Sequence, residues 1–169
     1  MNGKRDETAK SAALRLLTIC DRSTQELRAR LARRFSAEEV EEAIQYLKDI
    51  GYLDDLRYAR NYVQSRNRNR PTGNYLLRLE LGSKGIDDAY IDQVLNSPER
   101  EYELALDLAA QRLGRLERED ALTRCGKVYR LLQRRGFPGA VARTGIQKKN
   151  TIKASCSAVL AQHIRKRNG

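Results

Sequence analysis

The chain has 169 residues, enough for one compact domain or a short array of small modules. Its 33 Lys and Arg stand against 22 Asp and Glu, a formal charge of +11 that favours an acidic partner, either nucleic acid or an acidic protein surface. No apolar run reaches the ~18–20 residues of a membrane span, and the opening MNGKRDETAK lacks the apolar stretch of a signal peptide. A cytoplasmic protein with no membrane role is expected. Arg supplies 24 of the 33 basic residues, and its planar fork suits phosphate and carboxylate. Cys20, Cys125 and Cys156 are widely separated and fit neither a disulfide framework nor metal-ligand spacing, so all three are expected as reduced thiols.

The predicted elements are all helices. Ala9, Ala13, Leu16, Leu17 and Cys20 make the apolar stripe of a leading helix. Ser23 with Glu26, and Ser36 with Glu39, are capping boxes that open two further helices. The first carries Leu27 and Leu31, the second Val40, Ala43, Ile44 and Leu47. Gly51 ends that helix, and Asp54 or Asp55 caps the next, with Leu56, Ala59, Tyr62 and Val63 inward. Arg66, Arg68 and Arg70 alternate with Asn67 and Asn69 before Pro71. A helix with Leu77 and Leu81 then ends at Lys84-Gly85, Ile86 packs into the elbow, and Asp87 or Asp88 caps a helix with Ile91, Val94 and Leu95 inward. Ser97-Pro98-Glu99 starts a helix striped by Tyr102, Ala105, Leu106, Ala109 and Leu113. A charged connection, residues 114–120, leads to a helix with Val128, Leu131 and Leu132, followed by Arg134-Arg135-Gly136-Phe137, Val141, Ala142 and Ile146. From Arg143 onward there are seven basic residues and no acidic one, and Ile152, Cys156, Val159, Leu160 and Ile164 would share one helical face.

Three elbows recur. Phe35, Ile86 and Phe137 stand at equal intervals of 51 residues. Each is preceded by an apolar pair four apart: Leu27/Leu31, Leu77/Leu81 and Val128/Leu132. Five and nine residues beyond each elbow stand Val40/Ile44, Ile91/Leu95 and Ala142/Ile146. The first copy is one residue shorter and lacks the elbow glycine, which predicts a tighter turn. The repeat predicts an all-α, elongated array of three-helix modules, each packing mainly on its neighbours. Its expected divisions are a leading helix (1–22), repeats at 23–70, 71–119 and 120–146 (the third partial), and a basic tail (147–169).

No residue set has the pattern of catalysis. His163 is the only histidine and has no evident partner. Asp54 and Asp55 are adjacent, which suits helix capping better than paired acid–base work. No phosphate loop and no metal-ligand spacing occurs, so a binding protein without cofactor or metal is expected. Two basic sets are candidate contacts. One comprises the elbow cations Arg33, Arg34, Lys84, Arg134 and Arg135, which a regular stack would align, although cations also simply favour helix C-termini. The other is Arg66, Arg68 and Arg70 with Tyr75 nearby, a strip suited to single-stranded nucleic acid. Phe35, Ile86, Phe137, Gly85 and Gly136 are the structural residues of the elbows. The helix–turn–helix shape also suggests DNA reading, but the second helices expose Asp87, Asp88 and Asp92, or Glu38, Glu39, Glu41 and Glu42, which phosphate would repel.

ALRLLT (Ala13–Thr18), STQELRARL (Ser23–Leu31), GYLDD (Gly51–Asp55), YARNYVQSR (Tyr58–Arg66), LELGSKGI (Leu79–Ile86) and LLQRRGF (Leu131–Phe137) together resemble the RecX family of regulatory proteins. The resemblance runs from about Ala13 to Ile146. It implies tandem three-helix repeats and a monomeric, non-enzymatic partner of RecA–DNA filaments. Such a partner restrains ATP hydrolysis, strand exchange and co-protease activity in recombination and SOS repair, with weak direct DNA binding. The alternative is a standalone basic helical DNA-binding protein.

Overall fold

The computed structural model describes residues 7–143 of the chain; Ile146 and the expected tail, 147–169, lie outside them. The described residues form eight α-helices and no strand: α1 (Ala9–Ile19), α2 (Thr24–Leu31), α3 (Ala37–Asp49), α4 (Asp55–Asn69), α5 (Asn74–Ser83), α6 (Asp88–Val94), α7 (Pro98–Gly114) and α8 (Ala121–Arg134). A further helical turn begins at residues 139–143. The fold is all-α, as the 3.6-residue periodicity dictates.

The helix starts follow their local chemistry. Ser23 and Ser36 each accept the backbone N–H of Glu26 and Glu39, whose carboxylates reach back, so both capping boxes close. Asp54 Oδ1 accepts the Arg57 N–H at 2.9 Å and opens α4, Asp87 Oδ1 accepts Ala89 N–H at 2.8 Å, and Ser97 caps α7 with Pro98 behind it.

The second and third elbows share one backbone plan, which the turn between α3 and α4 repeats. Ile86 N–H donates to Leu81 O at 3.2 Å, Phe137 N–H to Leu132 O at 3.1 Å, and Tyr52 N–H to Leu47 O at 2.9 Å, each spanning five residues. In each, a glycine with φ of +73°, +80° or +71° (Gly85, Gly136, Gly51) supplies the left-handed link. At the first elbow the Phe35 N–H reaches back only four residues, to Leu31 O at 3.1 Å, and no residue has positive φ. That turn is tighter because it is one residue short, and Phe35 stays half-buried while Ile86 and Phe137 are buried.

The chain divides into two compact units, one of Met1–Val63 with Glu80–Val94, the other of Gln64–Leu79 with Leu95–Gly169. In the first, Ala9, Ala12 and Ala13 of α1 pack with Leu27, Leu31, Val40, Ala43, Ile44, Leu47 and Leu53. In the second, Leu104, Ala105, Ala109, Leu113 and Leu116 pack with Val128, Tyr129, Leu132, Phe137 and Ala142. Every apolar pair before an elbow is inside: Leu27, Leu77, Leu81, Val128 and Leu132 are 0% exposed and Leu31 1%. Cys20 is a free, exposed thiol and Cys125 is buried, while Cys156 lies outside the described residues.

Candidate functional site

The elbows are joints. In the first compact unit, the Ser23 hydroxyl, already the cap of α2, donates to the Lys84 carbonyl at 2.6 Å. Asp55 Oδ1, at the start of α4, accepts the N–H of Thr24, the first residue of α2, at 2.8 Å. The paired aspartates thus cap two different helices, Asp54 its own and Asp55 a distant one. A Cβ at Gly85 would strike the Gln25 side chain. The second compact unit repeats the plan with other atoms. Gly73 N–H donates to the Arg135 carbonyl at 2.7 Å, and the buried Glu101 Oε1 of α7 accepts the Asn74 N–H at 2.6 Å. A Cβ at Gly136 would stand 2.5 Å from Leu76 Cβ and 2.7 Å from Leu76 N. Asn74 and Asn96 also exchange hydrogen bonds of 2.8 and 3.0 Å, and Asn67 Nδ2 donates to Asn96 Oδ1 at 2.6 Å. In both units the backbone of the elbow cation holds the start of an earlier helix.

The Lys84 side chain is committed as well. Its ammonium meets Glu26 Oε1 at 2.7 Å and lies 5.9 and 5.5 Å from the ring centroids of Tyr58 and Tyr62, which stack 6.3 Å apart. Glu26 also accepts the Ser23 N–H and the Tyr58 hydroxyl, both at 3.2 Å, and the Tyr62 hydroxyl donates to Glu80 at 2.8 Å. Burial raises the Glu26 carboxyl, but the hydrogen bond from Lys84, the Ser23 N–H and the Lys84 charge outweigh it and hold it below the ordinary carboxylate value. Burial lowers the Lys84 ammonium, but the Glu26 and Tyr58 hydrogen bonds outweigh it and raise it. Burial leads in raising the Tyr58 phenol.

The other elbow cations differ from Lys84. Arg33 is exposed; Arg34 is exposed, pairs with Glu7 at 2.9 Å and lies over the Phe35 ring. Arg135 is half-buried and Arg134 exposed. In the other set, α4 runs through Arg66 and Arg68 and ends just before Arg70. Helical geometry turns Arg68 away from Arg66, so the alternation does not make one strip; Arg66 is half-buried, Arg68 and Arg70 exposed, and Tyr75 is 70% exposed.

Arg134 has companions that sequence reasoning did not single out. It lines a cleft of about 670 Å³ in the second compact unit with Arg112 of α7 and Lys127, Arg130, Leu131 and Gln133 of α8. The signal lay in the spacing of Lys127, Arg130 and Arg134 at three and four residues, which is one helix face. Lys127 meets Glu119 at 2.5 Å. Among the described residues no group of three or more His, Cys, Asp or Glu is placed to hold a metal, and no helix is long and apolar enough to cross a membrane.

Residues 9–47, 54–95 and 99–144 match the family models of the first, second and third three-helix domains of RecX. The chain belongs to the RecX family. A regulatory protein RecX of Thermus thermophilus is 42% identical over 130 residues, covering 77% of this chain and 84% of the relative. One from Chlorobium phaeobacteroides is 35% identical over 133 residues, covering 78% and 87%. The crystal structure of RecX from Lactobacillus salivarius superposes with a TM-score of 0.73 at 25% identity, covering 85% of this chain and 96% of that one. The RecX domain matches take α1–α3, α4–α6, and α7 with α8 as successive groups. Asp55 and Glu101, each near the start of such a group, reach back to the second helix of the group before.

Proposed function

We propose that this chain is a non-catalytic regulator of RecA–DNA filaments that restrains ATP hydrolysis, strand exchange and co-protease activity in the cytoplasm. The observation that carries the reading is the succession of three RecX three-helix domains across residues 9–144, in relatives named regulatory proteins. The physical chemistry supports it. Tandem helical modules offer several modest contacts to a repeating filament, and linked contacts gain avidity without any single one being strong. Net charge of +11 attracts the chain to acidic surfaces and to DNA. The contact candidates on this reading are the exposed Arg33, Arg34, Arg68, Arg70 and Arg134 and the half-buried Arg66, with Lys84 and Arg135 contributing through the joints they hold.

The test is RecA's DNA-dependent ATPase, followed while this chain is titrated in. Hydrolysis falls and filament lifetime changes in proportion to bound chain; no change at saturation refutes the proposal. A standalone DNA-binding protein would instead bind naked DNA tightly with a steep salt slope and leave the ATPase unchanged once free DNA is supplied as competitor.

A further inference from the structure

We propose that the cleft formed by Arg112 of α7 and Lys127, Arg130 and Arg134 of α8 is a cradle for the sugar-phosphate backbone of a nucleic-acid strand. Among the described residues four cations line one cleft of about 670 Å³. Lys127 shares its charge with Glu119, but none of Arg112, Arg130 and Arg134 forms an ion pair with a described residue. Uncompensated like charges brought together on folding repel, and the arrangement is relieved when an anion enters.

Three features select a phosphate chain over an acidic protein surface. Lys127, Arg130 and Arg134 lie on one face of α8, and seven residues at ~1.5 Å each span about 10 Å. That matches the rise of about three phosphates along one strand at ~3.4 Å each. The cations are mostly arginine, whose forked donors suit phosphate oxygens. Among the described residues the lining offers one aliphatic side chain, Leu131, and no aromatic residue. A protein partner would want an apolar anchor pocket, and base-stacking recognition an aromatic platform. Gln133, the remaining side chain of the lining among the described residues, is turned toward Tyr129, to whose hydroxyl its amide donates at 3.0 Å. The cleft therefore grips the backbone without reading sequence. Residues 143–169 follow α8 in the chain with seven basic residues and no acid, which adds to the attraction.

The inference rests on the regulatory reading only for the setting in which DNA is met; the binding itself is measured on the full chain without recombinase. The probe is a fluorescein-labelled oligothymidylate, titrated at several salt concentrations. Arg130→Ala with Arg134→Ala weakens binding on the order of tenfold at low salt and reduces the slope of log K against log salt by about 1.4, at ~0.7 for each single-strand contact. Arg30→Ala with Arg60→Ala removes the same charge from exposed positions of the other compact unit and leaves the slope unchanged. Far-UV circular dichroism confirms that both variants fold. Equal losses in the two variants, or an unchanged slope in the α8 variant, overturn the cradle. So does loss of filament binding with oligonucleotide binding intact, which would assign the cleft to an acidic protein surface. A parent chain that binds the oligonucleotide as described yet leaves RecA hydrolysis untouched removes the regulatory role and keeps the cradle.

Discussion

Gly136→Ala probes the elbow joint with the least chemical change. The residue sits at φ +80°, where a Cβ costs ~1–2 kcal/mol. The added carbon would also stand 2.5 Å from Leu76 Cβ, 2.7 Å from Leu76 N and 3.1 Å from Leu76 Cα. Those atoms belong to the first turn of α5 and cannot swing aside as a side-chain tip would. Forcing the two segments apart is an overpacking strain of about 1–3 kcal/mol, and it weakens the neighbouring Gly73-to-Arg135 hydrogen bond. The sum is about 2–5 kcal/mol, a large part of the ~5–15 kcal/mol that keeps a domain folded. For a chain of this length the melting temperature falls by roughly 5–15 °C. Gly82→Ala is the internal comparison. Gly82 is exposed in α5 with open space around a Cβ, so alanine there stabilises the helix by about 0.5–1 kcal/mol. Thermal unfolding followed by circular dichroism measures both. A Gly136→Ala chain melting within about 1 °C of its parent would refute the joint.

Lys84→Met keeps the stem over Tyr58 and Tyr62 but removes the partner of Glu26, whose side chain is only 31% exposed; a loss of about 1–2 kcal/mol is expected in urea titration. An unchanged unfolding midpoint together with weakened filament binding would instead make Lys84 a surface contact. Asp55→Ala removes the distant acceptor of the Thr24 N–H and costs about 1 kcal/mol, whereas an unchanged midpoint would show that α2 needs no cap from α4. Glu26 is held below its ordinary value in the folded chain, so the unfolded state binds the proton more readily. Its contribution is complete above the unfolded value of about 4.3 and is lost as pH falls from there through the lowered folded value. Glu26→Gln flattens that part of the acid limb, which stability measured across acidic pH reads directly; an identical limb in the variant would show that Glu26 is not its source.

Much of the architecture is written in short-range spacing. Leu27 and Leu31, Leu77 and Leu81, and Val128 and Leu132 each stand one helical turn apart, and all are buried. The glycines before Ile86 and Phe137 mark left-handed turns because few other residues tolerate them, and the missing one before Phe35 announced a shorter turn. Capping serines could be named because a cap binds an N–H three residues away. The candidate site was less legible. The elbow cations look alike in the chain, yet Lys84 is paired with Glu26, 58 residues distant, while Arg134 opens onto a cleft. Arg66, Arg68 and Arg70 alternate in the chain as a strip would, but the helix that carries Arg66 and Arg68 turns residues two apart to different faces.

Sequence by itself determined the all-helical class, the 51-residue recurrence and the residues that turn inward, since these depend on interactions within a few residues and on the period of the helix. Tertiary structure alone decided what the polar groups do. It gave Asp54 and Asp55 separate helices to cap, set the Lys84 and Arg135 carbonyls against the starts of earlier helices, and gathered Arg112 beside Lys127, Arg130 and Arg134. A charged side chain takes its role from whichever opposite charge or solvent the fold places beside it, and that neighbour is usually far away in the chain.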